Sequence, residues 1–368
     1  MYLSHLRLTD FRNHADSELR PDPGTNLILG PNAQGKTNLL EAVVCLSRAH
    51  SFRTRRDAEM IHFGAEAAAV EGTLSGGERE YALRLVFGTG RGAWINGVRQ
   101  KRSADFASLF HTVVFCPEDL DLVRGSAAER RRFLDTALCA LRPNYAQLFG
   151  EYNRLHAHLT RLLQDGDPDG LLDDFAYRFI SVGARLIPYR AAFCETLSAQ
   201  AAEFHAQIAE GETLSARYQT VSAVEDPSAS AQTVASQLWA HFQSHREGSL
   251  RSGTMLTGPH RDDLIFTIGG NPAREYASQG QARTAAIACK LAEREIFRKS
   301  DGTAPVLLLD DVLSELDAKR RAFILQGIRD GQVFITACDA REAEIAAQKV
   351  FNVRDGHTTE VQHVSASG

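Results

Sequence analysis

The sequence predicts an α/β fold with a mainly helical segment in its middle, and three observations lead to this prediction. Up to about residue 122 the 368-residue chain is rich in strand patterns, with apolar alternation clear at Tyr81, Leu83, Leu85 and Phe87. Between about 123 and 250, apolar residues recur instead at helical spacing. Near the C-terminus, an unbroken apolar run at 306–309 is typical of a buried parallel strand.

The first strand-to-helix junction contains a phosphate-binding motif. An apolar run at 26–29 is followed by a glycine-rich loop and then by a helical pattern that starts near Asn38. The loop matches G-x-x-x-x-G-K-[ST] and reads Gly30-Pro31-Asn32-Ala33-Gln34-Gly35-Lys36-Thr37. In such a loop the backbone N–H groups surround a phosphate, the lysine reaches the β- and γ-phosphates, and the Thr hydroxyl binds Mg²⁺. The sequence therefore predicts a site for ATP with Mg²⁺.

Two apolar stripes in the middle segment predict an antiparallel pair of helices. The first runs from Leu148 to Leu162 and the second from Leu172 to Phe193, with apolar residues three or four positions apart. The stretch between them, 165–170, is rich in Asp and Gly, which favour turns. The stripes therefore predict a helical hairpin whose apolar face is core rather than a cofactor site.

A short polar segment opens the next predicted helix. It reads Ala277-Ser278-Gln279-Gly280-Gln281, and the helix runs to about Lys299. Ser278 suits the capping position at the start of this helix. A helix N-terminus with a serine hydroxyl also suits an anion, so a structural and a phosphate-binding role are compatible.

The apolar run at 306–309 ends in two carboxylates, Asp310 and Asp311. The C-terminal ends of parallel strands are where α/β sheets present ligand-binding groups. Asp310 is therefore predicted to bind Mg²⁺, directly or through water, and Asp311 to polarise the attacking water. A buried strand that merely ends in a polar turn is the alternative, and the phosphate loop makes it the weaker one.

Charge limits the ways in which this chain could bind nucleic acid. The formal net charge is −5, so any contact with DNA must come from a local basic patch. Three basic clusters stand out, at 48–56, 99–102 and 130–132. The candidates for phosphate contacts are Arg53, Arg55, Arg56, Arg130 and Arg131. For each cluster, a solvated charged face explains the sequence equally well.

Other features indicate the compartment. No apolar run approaches the length of a membrane-spanning helix, and the first residues show no signal-peptide pattern. The six cysteines are scattered without a C-x-x-C pair, which is typical of reduced thiols. These features predict a cytoplasmic protein that makes no membrane contact.

Taken together, these motifs resemble the RecF family of SMC-like ATPases in the ATP-binding cassette superfamily. The segments that carry the resemblance follow the order of that family along the chain: 8–13, 30–42, 52–54, 115–120, 130–135, 257–264 and 309–317. This sequence departs from the family at Phe52, where His is more common. Asp311 stands where most relatives in the superfamily have Glu, and Ala337 lies where transporters place a catalytic His, which RecF-like proteins also lack.

The resemblance implies a split architecture and a shared site. Residues 1–122 and 251–368 would form one cassette-type P-loop ATPase head, a mixed sheet with helices, and 123–250 an inserted helical arm or lid. Arg12, Asn13 and Asn38 would join the phosphate loop in binding ATP. Ser278, Gly280 and Gln281 of one protomer would complete the ATP site of the other, so that two ATP molecules are sandwiched in a homodimer.

The resemblance also implies a function. It indicates a weak, DNA-stimulated ATPase that dimerises on ATP and binds double-stranded DNA near single-strand gaps and ss/dsDNA junctions, at the nucleoid. With RecR and RecO it would promote RecA loading in recombinational repair, replication restart and the SOS response. Two alternatives remain: the ATP-binding subunit of a membrane transporter, and an ATP-gated scaffold without useful hydrolysis. The helical insert, the missing His and the 257–264 segment disfavour the first, whereas Asp311 makes the second plausible.

Overall fold

The computed structural model describes residues 1–54, 56–76, 79–101, 106, 109–167, 170–328, 330–339 and 347–361. The chain groups into two compact units. The first comprises Met1–Asp119 and Phe297–Gly368, and the second comprises Leu120–Ile296.

The regular elements of the described residues come as runs of strands and runs of helices. Up to residue 115 they are β1 Tyr2–Phe11, β2 His14–Leu19, β3 Thr25–Leu29, α1 Lys36–Arg48, β4 Ala67–Ser75, β5 Tyr81–Gly88, β6 Gly92–Ile95, β7 Val98–Arg99 and β8 Thr112–Phe115. The central part contains α2 Ala127–Leu141, α3 Pro143–Gln164, α4 Leu172–Ile208, β9 Leu214–Gln219, α5 Ala231–Ser252, β10 Asp263–Ile268, β11 Asn271–Pro272 and α6 Ala273–Tyr276. The last elements are α7 Gln279–Asp301, β12 Val306–Leu309, α8 Ala318–Gly327, β13 Val333–Ala337, β14 Lys349–Arg354 and β15 His357–Val361.

In the first unit, strands from both ends of the chain share a sheet. Its order is β15-β14-β3-β13-β12-β8. The strands from β14 to β8 pair in parallel, and β15 is antiparallel to β14. The mixed α/β fold predicted from the sequence is therefore confirmed. The four residues of β12 are all buried, as expected for a strand that is covered on both faces.

Helix α1 lies in the core between this sheet and a second, antiparallel sheet. The second sheet has the order β2-β1-β4-β5-β6-β7. Most of α1 is buried, from Leu39 to Ser47, and its apolar side chains join one core cluster with side chains of both sheets. A helix that is apolar almost all round can be stable only in such a covered position. Its first residues, Lys36 and Thr37, are thereby held firmly at the carboxyl ends of the parallel strands.

The second unit is mainly helical. Helices α3 and α4 flank the turn at 165–167, which agrees with the two apolar stripes, and α4 continues to Ile208. The unit ends at Ile296, whereas the sequence predicted a return to the head at residue 251. The reason is strand pairing: β10 runs antiparallel to β9, from Asp263 opposite Gln219 to Ile268 opposite Leu214. Strands β10 and β11, which lie beyond residue 250, thus belong to the same sheet as β9, which lies before it in the chain.

Candidate nucleotide-binding site

The phosphate loop leaves the end of β3 and leads directly into α1. Strand β3 pairs with β13 on one side and β14 on the other, and the Gly30 amide donates to the Ala337 carbonyl at 3.3 Å. Gly35 caps α1 with a φ of 112°. A Cβ at Gly35 would approach Asn13 Oδ1 and His14 Nε2 to 2.6 Å, so only glycine fits there. The loop conformation therefore depends on the β1–β2 turn as well as on its own sequence.

The Lys36 ammonium is folded into the loop. Its side chain is only 3% exposed, and Nζ donates to the carbonyl oxygens of Gly30 at 2.7 Å and Pro31 at 3.3 Å. Asp311 Oδ2 lies 3.7 Å from the same nitrogen. A lysine in this position supplies positive charge inside the loop, where the β- and γ-phosphates of a nucleotide would lie.

Thr37 and Asp310, which come from opposite ends of the chain, meet in this site. The Thr37 hydroxyl donates to Asp310 Oδ1 at 2.9 Å, and the Thr336 hydroxyl donates to the same oxygen at 3.0 Å. Burial raises the pKa of Asp310, the nearby Asp311 charge adds to the shift, and the two hydroxyl groups oppose it. A buried carboxylate beside a second carboxylate and a hydroxyl is a set of hard oxygen donors that suits Mg²⁺. The residues present therefore fit the metal that the motif implies.

Asp311 differs from Asp310 in its exposure, and its catalytic role remains a prediction. Its backbone is left-handed, with a φ of 50°, and its amide donates to Thr336 Oγ1 at 2.8 Å. This turn separates the two carboxylates: Asp310 is 6% exposed, whereas the Asp311 side chain is 32% exposed. Asp310 thus faces the Thr37 hydroxyl, and Asp311 remains open to solvent near Lys36.

Arg12, Asn13 and Asn38 support the loop from the side of the β1–β2 turn. Asn13 Nδ2 donates to the Gln34 carbonyl at 2.8 Å, and Asn38 Nδ2 donates to Asn13 Oδ1 at 2.8 Å. Arg12 forms two hydrogen bonds, of 2.9 and 2.6 Å, with the fully buried Glu41 carboxylate. In this conformation the three residues hold the loop and α1 in place, and their predicted contacts with ATP remain a prediction.

The turn between β14 and β15 contacts the phosphate loop, and sequence reasoning missed it. The Asp355 amide donates to Gln34 Oε1 at 2.6 Å, and the Gly356 amide donates to the Gln34 carbonyl at 3.2 Å. Ser17 Oγ donates to the Gly356 carbonyl at 2.8 Å. The only sequence signal was a short Asp-Gly dipeptide, which predicts a hairpin turn but not its contact with the loop.

Cys338 was also missed as a neighbour of the loop. Its thiol donates to Asn32 Oδ1 at 2.9 Å, and Lys36 Nζ lies 3.6 Å from its sulfur. The side chain comes after β13, at the same sheet edge as Asp310. Nothing in the local sequence distinguished this cysteine from the other five.

Ser278, in the second unit, caps α7 as the sequence predicted. Its Oγ accepts from the Gln281 amide at 3.2 Å, while Gln281 Oε1 accepts from the Ser278 amide at 2.9 Å. Gln281 also donates to Glu212 Oε1 at 2.8 Å. This reciprocal pair leaves Ser278 exposed at the helix N-terminus, with Gly280 in the first turn. Whether these residues touch the ATP of a second protomer remains a prediction.

The arginines proposed as DNA contacts differ in exposure. Arg53 is paired, donating to Asn38 Oδ1 at 2.8 Å and to Glu41 Oε2 at 3.2 Å. The Arg56 side chain is 83% exposed, with Glu59 Oε1 3.6 Å away. Arg55 lies outside the described residues. Arg131 is half-buried and donates to the Asp262 carbonyl at 2.7 Å.

The prediction for Arg130 needs correction. Its side chain is 2% exposed and forms two hydrogen bonds of 2.8 Å with the Asp263 carboxylate. It also donates to the Gly125 carbonyl at 2.7 Å. A guanidinium that is buried and fully paired is not available to DNA, because releasing it would leave the Asp263 charge without its partner. The run of three arginines at 130–132 therefore does not form one open patch.

Among the described residues, every helix is either too short or too polar to span a membrane.

Comparisons with known proteins agree with this geometry. The family model described as the RecF/RecN/SMC N terminal domain matches residues 2–361. "DNA replication and repair protein RecF" of Symbiobacterium thermophilum is 40% identical, over 97% of each chain. The Bacillus subtilis protein of the same name is 35% identical, over 97% of this chain and 99% of its own.

Solved structures give the same result. A structure of the recombination mediator protein RecF with ATP, from the RecFOR pathway, has a TM-score of 0.89 at 31% identity over 98% of both chains. The Smc head domain of Pyrococcus furiosus shares the fold, with a TM-score of 0.55 at 16% identity over 98% of this chain and 96% of its own. From the phosphate loop, the carboxylate pair and these matches, we conclude that the chain belongs to the RecF family and has its cassette-type ATPase head fold.

Proposed function

We propose that this protein is an ATP-dependent DNA-binding clamp of recombinational repair, replication restart and the SOS response. The observation that carries the proposal is the contact between the Thr37 hydroxyl and Asp310 beside the buried Lys36. These three side chains form the part of the site that recognises a triphosphate with its metal. The match to RecF proteins named for DNA replication and repair supports the role in repair and disfavours a transporter subunit.

In the proposed ATP site, each residue has a distinct task. Lys36 would exchange the Gly30 and Pro31 carbonyl oxygens for phosphate oxygens, without leaving the loop. Thr37 and Asp310 would hold Mg²⁺, which neutralises charge on the phosphates when bound. Asp311 would orient the attacking water and accept its proton. Asp is one methylene shorter than Glu, so we expect a water-mediated contact and weak hydrolysis. Stimulation of this hydrolysis by DNA is proposed from the family alone.

We further propose that ATP links two protomers through the Ser278 end of α7. The serine is exposed, and a helix N-terminus favours a negatively charged group. If it completes the partner's ATP site, the dimer is stabilised by ATP and released after hydrolysis. Single-turnover hydrolysis, with and without DNA, would distinguish this switch from an ATP-gated scaffold. A scaffold would hold the dimer without turning ATP over.

The proposed dimer would bind DNA by combining weak patches. One chain has a net charge of −5, and the exposed Arg56 provides only a limited local contact. Two copies on one duplex raise avidity by roughly 10²–10⁴ without new contacts. We propose that the dimer marks gapped or ss/dsDNA junctions at the nucleoid in the cytoplasm. There it would recruit RecR and RecO and so promote RecA loading, and the RecFOR pathway named for the similar RecF structures supports these partners.

The direct test is a gel-shift experiment on gapped duplex DNA with ATP, with ADP and without nucleotide. We expect tight binding only with ATP, a steep fall with salt and little sequence preference, because the contacts are to backbone phosphates. Lys36→Ala is the control that removes nucleotide binding. Equal DNA binding in all three nucleotide states would contradict the proposal and leave a passive DNA-binding protein.

A further inference from the structure

The segment Thr257–Asp263 of the second unit forms a turn that is held from several sides. The Arg261 amide donates to the Gly258 carbonyl at 3.0 Å and closes the turn. His260 lies between two partners, with Nδ1 2.7 Å from the Tyr152 hydroxyl and Nε2 2.9 Å from the Met255 carbonyl. Because burial lowers the pKa of His260 to about 3, the ring is neutral and can donate to one partner and accept from the other.

A buried arginine fixes the other side of this turn. Arg190, which is 1% exposed, donates to the Pro259 carbonyl at 2.6 Å and forms two bonds of 2.9 Å with Asp135. Asp262 is fully buried and accepts from the Tyr218 hydroxyl at 2.6 Å and the Val221 amide at 3.0 Å. The turn is thus held by contacts with α3, α4 and β9.

Arg261 is the one exposed residue of this segment. Its neighbours Asp262 and Asp263 are committed to the interior, where Tyr218 and Arg130 bind them. Within the part of the chain that the structure describes, the Arg261 guanidinium has no hydrogen-bond or ion-pair partner. A side chain presented from a rigid turn loses less conformational freedom on binding than one on a mobile loop.

Arg261 has arginine neighbours, and the nearby Asp262 and Asp263 carboxylates already have partners in the interior. Arg131 and Arg261 both act on the His260 ring and help to lower its pKa, so both charges lie within electrostatic range of it. Arg131 lies against the Asp262 carbonyl, and Arg132 is exposed on the same helix. Phosphate oxygens match the planar fork of a guanidinium, and a mobile lysine would not offer this geometry.

We propose that Arg261, with Arg131 beside it, binds a backbone phosphate of DNA. The proposal rests on the DNA-binding function above and adds a specific contact to it. A backbone phosphate is favoured over a protein carboxylate because the net excess of arginine would attract a continuous polyanion. The deep polar network then has a role beyond stability, since it positions the outward-facing Arg261 guanidinium.

The test compares Arg261→Ala with Arg251→Ala, which removes an exposed arginine at the end of α5. Both are titrated with gapped duplex DNA in saturating ATP at several salt concentrations. We expect Arg261→Ala to bind roughly tenfold more weakly, the loss of one charge-assisted hydrogen bond. The slope of log affinity against log salt should also become shallower by about one per phosphate contact.

Two further measurements make the outcome decisive. Arg261→Lys keeps the charge but loses the fork, so it should recover only part of the affinity. Because the side chain is exposed, we expect the melting temperature of Arg261→Ala to match that of the wild type. If Arg261→Ala binds DNA as tightly as the wild type and Arg251→Ala do, Arg261 does not contact DNA. The clamp proposal would then still stand. If the wild type itself fails to bind DNA with ATP, the clamp proposal fails and this inference with it.

Discussion

Substitution of Gly356 should uncouple the β14–β15 turn from the phosphate loop. Gly356 has a φ of +73°, and an added Cβ would overlap the Asn13 carbonyl oxygen, far inside the closest approach of real Cβ atoms. Gly97, in the β6–β7 turn, has a φ of +78° and open space around its Cβ position. The two glycines therefore share a left-handed backbone conformation, but an added Cβ would clash with a neighbouring atom only at Gly356.

The magnitude follows from the contacts that the overlap must break. Placing Ala in a left-handed conformation costs about 1–2 kcal/mol at either position. At Gly356 the β14–β15 turn must also move by about 1 Å, which exceeds the tolerance of its hydrogen bonds. Three hydrogen bonds are involved. The Gly356 and Asp355 amides donate to Gln34 at 3.2 and 2.6 Å, and the Ser17 hydroxyl donates to the Gly356 carbonyl at 2.8 Å. At roughly 0.5–1.5 kcal/mol each, they add about 1.5–4.5 kcal/mol to the destabilisation.

The assay is thermal unfolding together with calorimetric ATP binding for Gly356→Ala and Gly97→Ala. We expect both variants to melt earlier than the wild type, Gly356→Ala by the larger amount. Only Gly356→Ala should also lose ATP affinity, because Gln34 belongs to the phosphate loop. Equal ATP affinities in the two variants would refute the claim that the C-terminal hairpin shapes the nucleotide site.

Three further predictions concern individual charges. Lys36→Ala should abolish ATP binding at physiological concentrations, because the triphosphate charge is left uncompensated inside the loop; near-normal affinity by calorimetry would contradict the site. Asp310→Asn should bind some ATP but stop turnover. Since burial raises the pKa of Asp310 above 3.8, magnesium-dependent ATP affinity in the wild type should fall on acidification at a pH above the usual Asp range, and Asp310→Asn should lose this dependence. Folding lowers the pKa of His260 from 6.5 to about 3, so on acidification the unfolded chain binds a proton at a higher pH than the folded protein does. The contribution of His260 to folding stability is therefore complete above pH 6.5 and is lost as the pH falls toward 3. In His260→Gln, the melting temperature should fall less steeply as the pH is lowered. An unchanged dependence of melting temperature on pH would contradict the conclusion that His260 is neutral in the folded protein.

Much of the arrangement of the candidate site could be predicted because its signals are local. The phosphate loop is contiguous, and a buried strand ending in Asp310 reveals its own position in the sheet. Ser278 was identifiable as a cap from its position at the start of the predicted helix. By contrast, Asp355 and Gly356 reach Gln34 across more than three hundred residues, and no local pattern encodes that contact.

For the basic clusters, the sequence could not distinguish buried arginines from exposed ones. Arg130 and Arg132 are two positions apart, so they lie on different faces of one helix, and only the first meets Asp263. Counting arginines along the chain could not separate a buried ion pair from an exposed cation. Arg261, in contrast, is isolated in sequence, and its exposure becomes evident only when its neighbours are seen to point inward.

Sedimentation velocity can determine whether ATP joins two protomers through Ser278. The wild type, Ser278→Arg and the control Ser236→Arg, an exposed serine on α5, are compared with ATP and with ADP. We predict ATP-dependent dimers for the wild type and Ser236→Arg. Ser278→Arg should bind ATP and remain a monomer, because the bulky side chain blocks the partner's site. An unchanged ATP-dependent dimer in Ser278→Arg would contradict the sandwich arrangement.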